Sequence, residues 1–502
     1  MTCTTIKELL TTACEKFDQS DAIRYKVKKD VIESKSYRQL YEDSARFSNM
    51  LKSLGIQGEK IAVTGMTSYS WIVSYFGTVC CGSVAVPLDV SLPADDLCEL
   101  IDRADAAAVV VDEVRKDLLA VVQEKCPKLK YVISMQKEAS EGKILSLSEL
   151  LGKEGTECEI EPEPEQLCTI MFTSGTTGKS KGVMLSQRNI AENATCRDMG
   201  YESGMVILSV LPIHHAYCLS MDIMKCLYTG AVICINESLM RIVKNIQIFQ
   251  PHIMLMVPLM IETLARKLED AQNLPPEVVR KAVFGENLHT ICSGGAYLDP
   301  SMIDLFEKYG IKVLQGYGMT ECSPVISTNL SWDIRKDTVG KLMPNCEAKT
   351  VDGELWVRGS SVMMGYYHMP EETAQTLVDG WLRTGDLGYV DEDQYVHLTG
   401  RCKNLIITKN GENVSPEELE NQLGREHLVR EVLVREKAGV IEAEIYPDLE
   451  YAEKNEITDL RAALQGIIDQ YNQGAPAYKR IYSLIVREAE FEKTPSKKIK
   501  RF

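Results

Sequence analysis

The apolar run LCTIMFTS at 167–174 leads straight into TSGTTGKSKG at 173–182, and this junction constrains the chain more than any other segment. Leu167, Cys168, Ile170, Met171 and Phe172 form a short apolar stretch bounded by a turn signal, the pattern of a buried strand. It delivers a loop with hydroxyls on Thr173, Ser174, Thr176, Thr177 and Ser180, glycines at Gly175, Gly178 and Gly182, and ammonium groups on Lys179 and Lys181. Hydroxyl donors, backbone N–H groups freed for close approach and local positive charge together suit a polyphosphate. ATP is therefore the first ligand to expect, held in a strand, loop, helix arrangement.

A Walker A loop needs glycine five positions before its Gly-Lys-Ser, and that position is Thr173. The spacing thus excludes the P-loop NTPase pattern. The 56 basic and 72 acidic residues leave a net charge of −16, which argues against a nucleic-acid surface, so an anionic substrate must be met by local charge. Sixteen cysteines are scattered with no C-x-x-C, as expected of reduced packing residues rather than a zinc or redox site. The start, MTCTTIKELLTTACEKF, reads as an amphipathic helix and not as a signal peptide. No stretch is long and apolar enough for a transmembrane helix, and a cytoplasmic location is the default expectation.

Helical spacing from Tyr37 to Leu54 stops at Gly55, a strand follows in KIAVTG, and Trp71 to Thr78 forms the next helix. Further strands fall at Val84–Val86, Ala106–Val111 and Tyr131–Ser134, and within VILSVLP, AVICI, HIMLMVP and TICSGGA. This alternation predicts an α/β fold with a parallel sheet. Near Thr399 the chain becomes charge-rich, with helical segments PEELENQL and TDLRAALQGIIDQY, so a domain of residues 1–401 and a second of 402–502 are expected.

Downstream of the glycine-rich loop lie LPIHHAYCLS at 211–220, SGGA at 293–296, QGYGMTE at 315–321, GELWVRG at 353–359, WLRTGDLG at 381–388, GRCKNLIITKNGENVSPEELE at 400–420 and KTPSKKIKR at 493–501. Their order and separations resemble the adenylate-forming superfamily of acyl-CoA synthetases, luciferases and nonribosomal-peptide adenylation domains. The likeness spans nearly the whole chain and is greatest to bacterial fatty acyl-CoA synthetases. It implies a large N-terminal domain with stacked α/β sheets, a small mobile C-terminal α+β domain, and an active site between them. The implied reaction is ATP-dependent activation of a fatty acid to acyl-AMP, then transfer to coenzyme A. The alternatives are loading of an acyl carrier protein's phosphopantetheine, or adenylation of an amino or aryl acid.

By the same resemblance, residues 173–182 hold the β- and γ-phosphates, Thr320 contacts phosphate, and Glu321 helps to hold Mg²⁺, an ion suited to oxygen ligands. Gly294, Gly295, Ala296, Gln315, Gly316, Tyr317 and Gly318 bind the nucleotide, with the Tyr317 ring suited to cover adenine. Asp386 accepts from the ribose hydroxyls and Arg401 donates nearby. Lys498 takes the catalytic position where an ammonium bridges carboxylate and α-phosphate, with Lys497 where the family often has glycine. Lys403 is the hinge between half-reactions, Gly411 and His214 line the thiol tunnel, and His215 lies near the acyl group. Met254, Met256, Met260, Tyr217 and Met319 are candidates to line an acyl pocket.

Overall fold

The computed structural model describes residues 2–28, 31–173, 180–271, 273–407, 412–437, 439–493 and 499–501. The chain divides into two compact units, the first comprising 1–348, 357–382 and 392–395, the second 349–356, 383–391 and 396–502. The boundary expected at 401/402 lies inside the second unit.

Two sheets organise the first unit. The nine-stranded sheet runs, by position, Lys341–Leu342, Val325–Thr328, Lys312–Gly318, Thr290–Ser293, Ile253–Met256, Val206–Ser209, Val232–Ile235, Asp21–Lys28 and Val31–Ser36. Its middle is parallel and both margins are antiparallel. The eight-stranded sheet runs Gly365–Tyr366, Lys181–Ser186, Leu167–Thr173, Val84–Leu88, Lys60–Thr64, Ala106–Val111, Tyr131–Ser134 and Ile144–Ser146. From Leu167–Thr173 onward its pairs are parallel, and only the two strands at the glycine-loop margin are antiparallel. The alternation expected from apolar periodicity is thus present. The antiparallel pair Asp21–Lys28 and Val31–Ser36 has no counterpart in the sequence reading, since Arg24, Lys26, Lys28, Glu33 and Lys35 leave it little apolar pattern.

Helices cover the sheets where their apolar stripes match. Tyr37–Ser53 begins with a capping box, in which the Ser36 hydroxyl accepts from the Gln39 N–H and the Gln39 side chain accepts from the Ser36 N–H. Tyr69–Cys80 is capped by Ser68 and buries Trp71, Tyr75 and Phe76. The Tyr75 hydroxyl lies 2.9 Å from Thr169 Oγ1, which fastens this helix to the strand that delivers the glycine-rich loop. The two helices cross closely at Gly77, whose carbonyl accepts from Ser48 Oγ at 2.7 Å.

In the second unit, Val429–Lys437 and Val440–Pro447 pair antiparallel, and Ile481–Val486 lies parallel to the latter. Pro416–Leu423 and Leu460–Gly474 pack Leu419, Leu464 and Ile468 into a core with Val434, Ala443 and Ile445. The mixed α/β class and the large and small units agree with the architecture the sequence implied.

A Cβ at Gly77 would lie 2.4 Å from Phe47 Cβ and 2.7 Å from the Ser44 carbonyl oxygen. Gly77→Ala should therefore cost about 1–3 kcal/mol through overpacking, read as a lower denaturant midpoint. An unchanged midpoint would mean that the crossing has room to spare.

Candidate active site

The glycine-rich loop is not followed by a helix. Lys181–Ser186 turns back as a strand, with Thr173 opposite Lys181 and Phe172 opposite Gly182. Gly182, Val183, Leu185 and Ser186 are buried and Lys181 and Met184 half-buried, so KGVMLS is a strand covered on both faces, and the helix start is displaced to Gln187.

The margin strand receives Gly365–Tyr366, with Tyr366 opposite Val183. This pairing sets the Lys181 ammonium 4.7 Å from the Tyr366 ring centroid. The Tyr366 hydroxyl donates to Glu321 Oε1 at 2.9 Å, and the Met363 N–H donates to the Glu321 carbonyl at 2.9 Å. Burial, followed by the neighbouring carboxylate, raises the Tyr366 phenol pKa and keeps it a donor. Glu321 sits in the single turn Thr320–Cys322, where Oε2 takes no hydrogen bond from the described residues. An oxygen-only side chain with one arm held and the other open is a sound magnesium donor. The strand pairing thus brings Thr173, Lys181 and Glu321 together and adds Tyr366.

At the C-terminal edge of the nine-stranded sheet, Ser293 passes into Gly294, Gly295 and Ala296. Gly294 is buried against Tyr217, whose ring would lie 3.1 Å from an added Cβ, while Gly295 has φ +85° and is exposed with Ala296. Gln315 donates from Nε2 to the Lys336 carbonyl at 2.9 Å, and its own carbonyl accepts from the Asn329 N–H at 2.9 Å. Gly316, Tyr317 and Gly318 then pair with Thr328, Ser327 and Val325 through a bulge after Tyr317. A Cβ on Gly318 would come within 2.1 Å of the Pro324 carbonyl, so glycine is required there by contact and not by conformation. Tyr317 and Thr320 are half-buried.

The His214 and His215 rings lie with centroids 4.3 Å apart, tilted by 43°, and His214 Nε2 lies 3.7 Å from Asp89 Oδ2. Burial, then His215, lowers the His214 pKa to about 4 against the pull of Asp89. The more exposed His215 is also lowered, chiefly by desolvation. Burial opposes the Asp89 carboxylate, but His214 and the N–H and hydroxyl of Ser91 outweigh it and hold its pKa below the usual value. Both histidines are therefore neutral at pH 7. Met254 and Met256 lie in the apolar core of this unit, Met260 packs against it, and no three-residue metal cluster occurs among the described residues.

In the second unit Asp386 and Arg401 face each other across the pair Trp381–Val390 and Val396–Arg401, with Arg401 Nε 3.0 Å from Asp386 Oδ1. Asp386 is 6% exposed. The turn before it is held by Glu354, whose Oε1 accepts from the Gly385 N–H at 2.9 Å. Lys403 lies in the single turn Cys402–Asn404, where burial and then Arg401 lower its ammonium pKa. Ser174, Gly175, Thr176, Thr177, Gly178, Lys179, Gly411 and Lys498 lie outside the described residues.

Residues 10–367 match the family described as AMP-binding enzyme, and 403–502 match the AMP-binding enzyme C-terminal domain. The chain belongs to the AMP-binding enzyme family. It is 25% identical to the long-chain-fatty-acid–CoA ligase FadD15 of Mycobacterium bovis, over 90% of this chain and 87% of that protein. Among solved structures, the anthranilate CoA ligase AuaEII in complex with anthranoyl-AMP superposes with a TM-score of 0.86 at 22% identity, over 99% of this chain and 95% of that one. ATP-bound MatB from Rhodopseudomonas palustris gives a TM-score of 0.82 at 25% identity, over 99% and 96%. These likenesses make the fold that of adenylate-forming enzymes.

Within this AMP-binding enzyme, sequence reading missed Tyr366 and Asp222. Nothing in MMGYYHMP signals chemistry, and only the pairing with Val183 brings Tyr366 to Glu321. Asp222 lies in a π-helical stretch, Cys218–Met224, with Oδ1 buried and without a hydrogen-bond partner among the described residues. Burial raises its pKa to about 7, against weaker pulls from Ser209 and Cys218. Because the native pKa exceeds the unfolded value of about 3.9, the native state binds the extra proton, and stability falls as pH rises through that window. Asp222→Asn should therefore gain melting temperature relative to the parent between pH 4 and 7.5. A constant difference across that range would contradict the assignment.

Proposed function

We propose that this chain is an AMP-forming fatty acyl-CoA synthetase working in two half-reactions. A fatty-acid carboxylate oxygen attacks the α-phosphorus of ATP, the bond from that phosphorus to the bridging oxygen breaks, and pyrophosphate leaves with the electron pair. The thiol of coenzyme A, losing its proton, then attacks the acyl carbon and displaces AMP. The single observation that supports the reading best is the Lys181–Tyr366–Glu321 arrangement, which presents a cation and an oxygen donor from one ring. Triphosphate and carboxylate repel each other, so a site for their reaction has to neutralise charge and fix the line of attack.

In this reading Lys181, with Thr173 and the loop residues through Lys179, holds the β- and γ-phosphates, and Thr320 contacts phosphate. Glu321 would hold Mg²⁺, whose bound charge favours the departing pyrophosphate. Tyr317 covers adenine, Gly316 and Gly318 allow close approach, and Gly294 to Ala296 with Gln315 complete that wall. Asp386, held by Arg401, accepts from the ribose hydroxyls. His215, neutral at pH 7, lies toward the acyl group. Lys498 bridges the carboxylate and α-phosphate in the first half-reaction. Lys403 is the pivot, after which Gly411 and His214 guide the thiol. The name of the FadD15 relative supports a long-chain acid and coenzyme A as the acceptor.

Pyrophosphate release measured over alkanoic, aryl and amino acids should be fastest with medium- or long-chain alkanoic acids, and product formation should prefer coenzyme A to holo-carrier protein. Release with aryl or amino acids alone would overturn the substrate assignment. Lys498→Ala should lower acyl-AMP formation by about 10²–10³-fold, as loss of one aimed charge stabiliser does, while thioester formation from supplied acyl-AMP stays within about threefold. Equal loss in both half-reactions would contradict the role of Lys498.

A further inference from the structure

Arg501 is the last described residue of the second unit and lies three positions beyond Lys498 in sequence. Its guanidinium donates from Nη2 to Glu420 Oε2, lies 3.3 Å from Glu417 Oε1, and donates from Nη1 to the Val434 carbonyl at 3.4 Å. Glu420 Oε1 in turn accepts from the Val434 N–H at 2.6 Å. Both carboxylates belong to the helix Pro416–Leu423, and the three side chains are only 12–23% exposed. An ion pair so shielded, with both Glu420 oxygens accepting hydrogen bonds, is more costly to break than a solvated one. Lys500 gives the contrast, with a side chain 48% exposed and 3.5 Å from an exposed Glu492.

Glu417 is shared. The Asn404 amide donates to its Oε1 and the Ser415 hydroxyl to its Oε2. One carboxylate thus joins the Cys402–Asn404 turn to the C-terminal residues, which are separated by almost a hundred positions. The upstream end of the tail is also fastened, since Lys493 Nζ lies 2.5 Å from Glu431 and 2.8 Å from Glu490. A bridge between Lys493 and Ile499, with the Lys500 N–H on the Glu492 carbonyl at 2.8 Å, brings the two fastened ends together.

We propose that Arg501, gripped by Glu420 and Glu417, is a positioning residue for the adenylation half-reaction, holding the chain end that carries Lys498 onto the Pro416–Leu423 helix. The proposal rests on the assignment of Lys498 to that half-reaction. The planar arginine fork meets two carboxylates and a carbonyl in directions fixed by its plane, whereas a lysine ammonium is a compact point charge on a flexible stem with rotatable donors. Removing it should therefore impair the step that depends on Lys498 and spare the step that does not.

The test uses the full-length enzyme with Arg501→Met, Arg501→Lys, the exchange Arg501→Glu with Glu420→Arg, and Lys498→Ala as reference. Pyrophosphate release, thioester formation from supplied acyl-AMP, and melting temperature are measured on each. Arg501→Met should lower kcat for pyrophosphate release by roughly 10–100-fold, with KM for ATP and the thioester step within about threefold of the parent. Arg501→Lys and the exchange should each recover part of the loss. If Lys498→Ala abolishes pyrophosphate release while Arg501→Met leaves it intact, or lowers both half-reactions equally, the positioning role is overturned and the Lys498 assignment stands. If Lys498→Ala releases pyrophosphate normally, the Lys498 assignment falls and the positioning role with it.

Discussion

The pairing of Lys181–Ser186 back onto Leu167–Thr173 is the constraint on which the first unit's chemistry depends. It closes the glycine-rich segment between two paired residues, Thr173 and Lys181, and so fixes where the loop begins and ends. It also offers a free margin to Gly365–Tyr366, which carries Tyr366 to Glu321 from a distant part of the chain. The parallel strands behind it are anchored by buried helices, with Tyr75 reaching Thr169 directly. The lysine, phenol and carboxylate are therefore set by backbone registers instead of by loop conformation, which suits a site that must hold charge in fixed directions.

The rest of the arrangement answers the difficulty of joining two anions. The chain is strongly acidic overall, so the attraction has to be local. In the proposed reading Lys181 supplies it on the strand margin and Glu321 offers one open oxygen to a cation, and no group of three metal-ligating side chains occurs among the described residues. The neighbouring histidines contribute no positive charge at pH 7, because burial keeps both neutral. In the second unit Asp386 is held by Arg401 across a strand pair, again a backbone-determined position. All sixteen cysteines carry free thiols and thirteen are buried, which fits packing residues with no part in the chemistry.

Much of this was legible in the sequence, and for a physical reason. Strand and helix periods are local, so the alternation from Lys60 through Phe306 could be read from apolar spacing. The site residues proposed for phosphate and ribose fall in motifs of particular residue types at short spacing, such as QGYGMTE and RTGD, which a sequence displays directly. Pairing between distant segments left no such trace. The strand, loop, helix expectation has no place for the strand Lys181–Ser186 ahead of the helix, because its partner, not its own composition, decides its conformation. Tyr366 looks like an ordinary aromatic until Val183 is found opposite it. The contact between Arg501 and Glu420 spans 81 positions, and a basic C-terminal run by itself suggests only a solvated tail. Asp222 is concealed in the stretch CLSMDIM, whose residues carry no local signal of its π-helical turn.

In the proposed reaction a carboxylate attacks the α-phosphorus of ATP, and its oxygen leaves with AMP. The most direct measurement is to supply a fatty acid labelled with ¹⁸O at both carboxylate oxygens, together with ATP, magnesium and coenzyme A, and to analyse the products by mass spectrometry. One ¹⁸O should appear in AMP, none in pyrophosphate and one in the thioester carbonyl. Label in inorganic phosphate with ADP as the nucleotide product, or unlabelled AMP alongside thioester, would contradict the account.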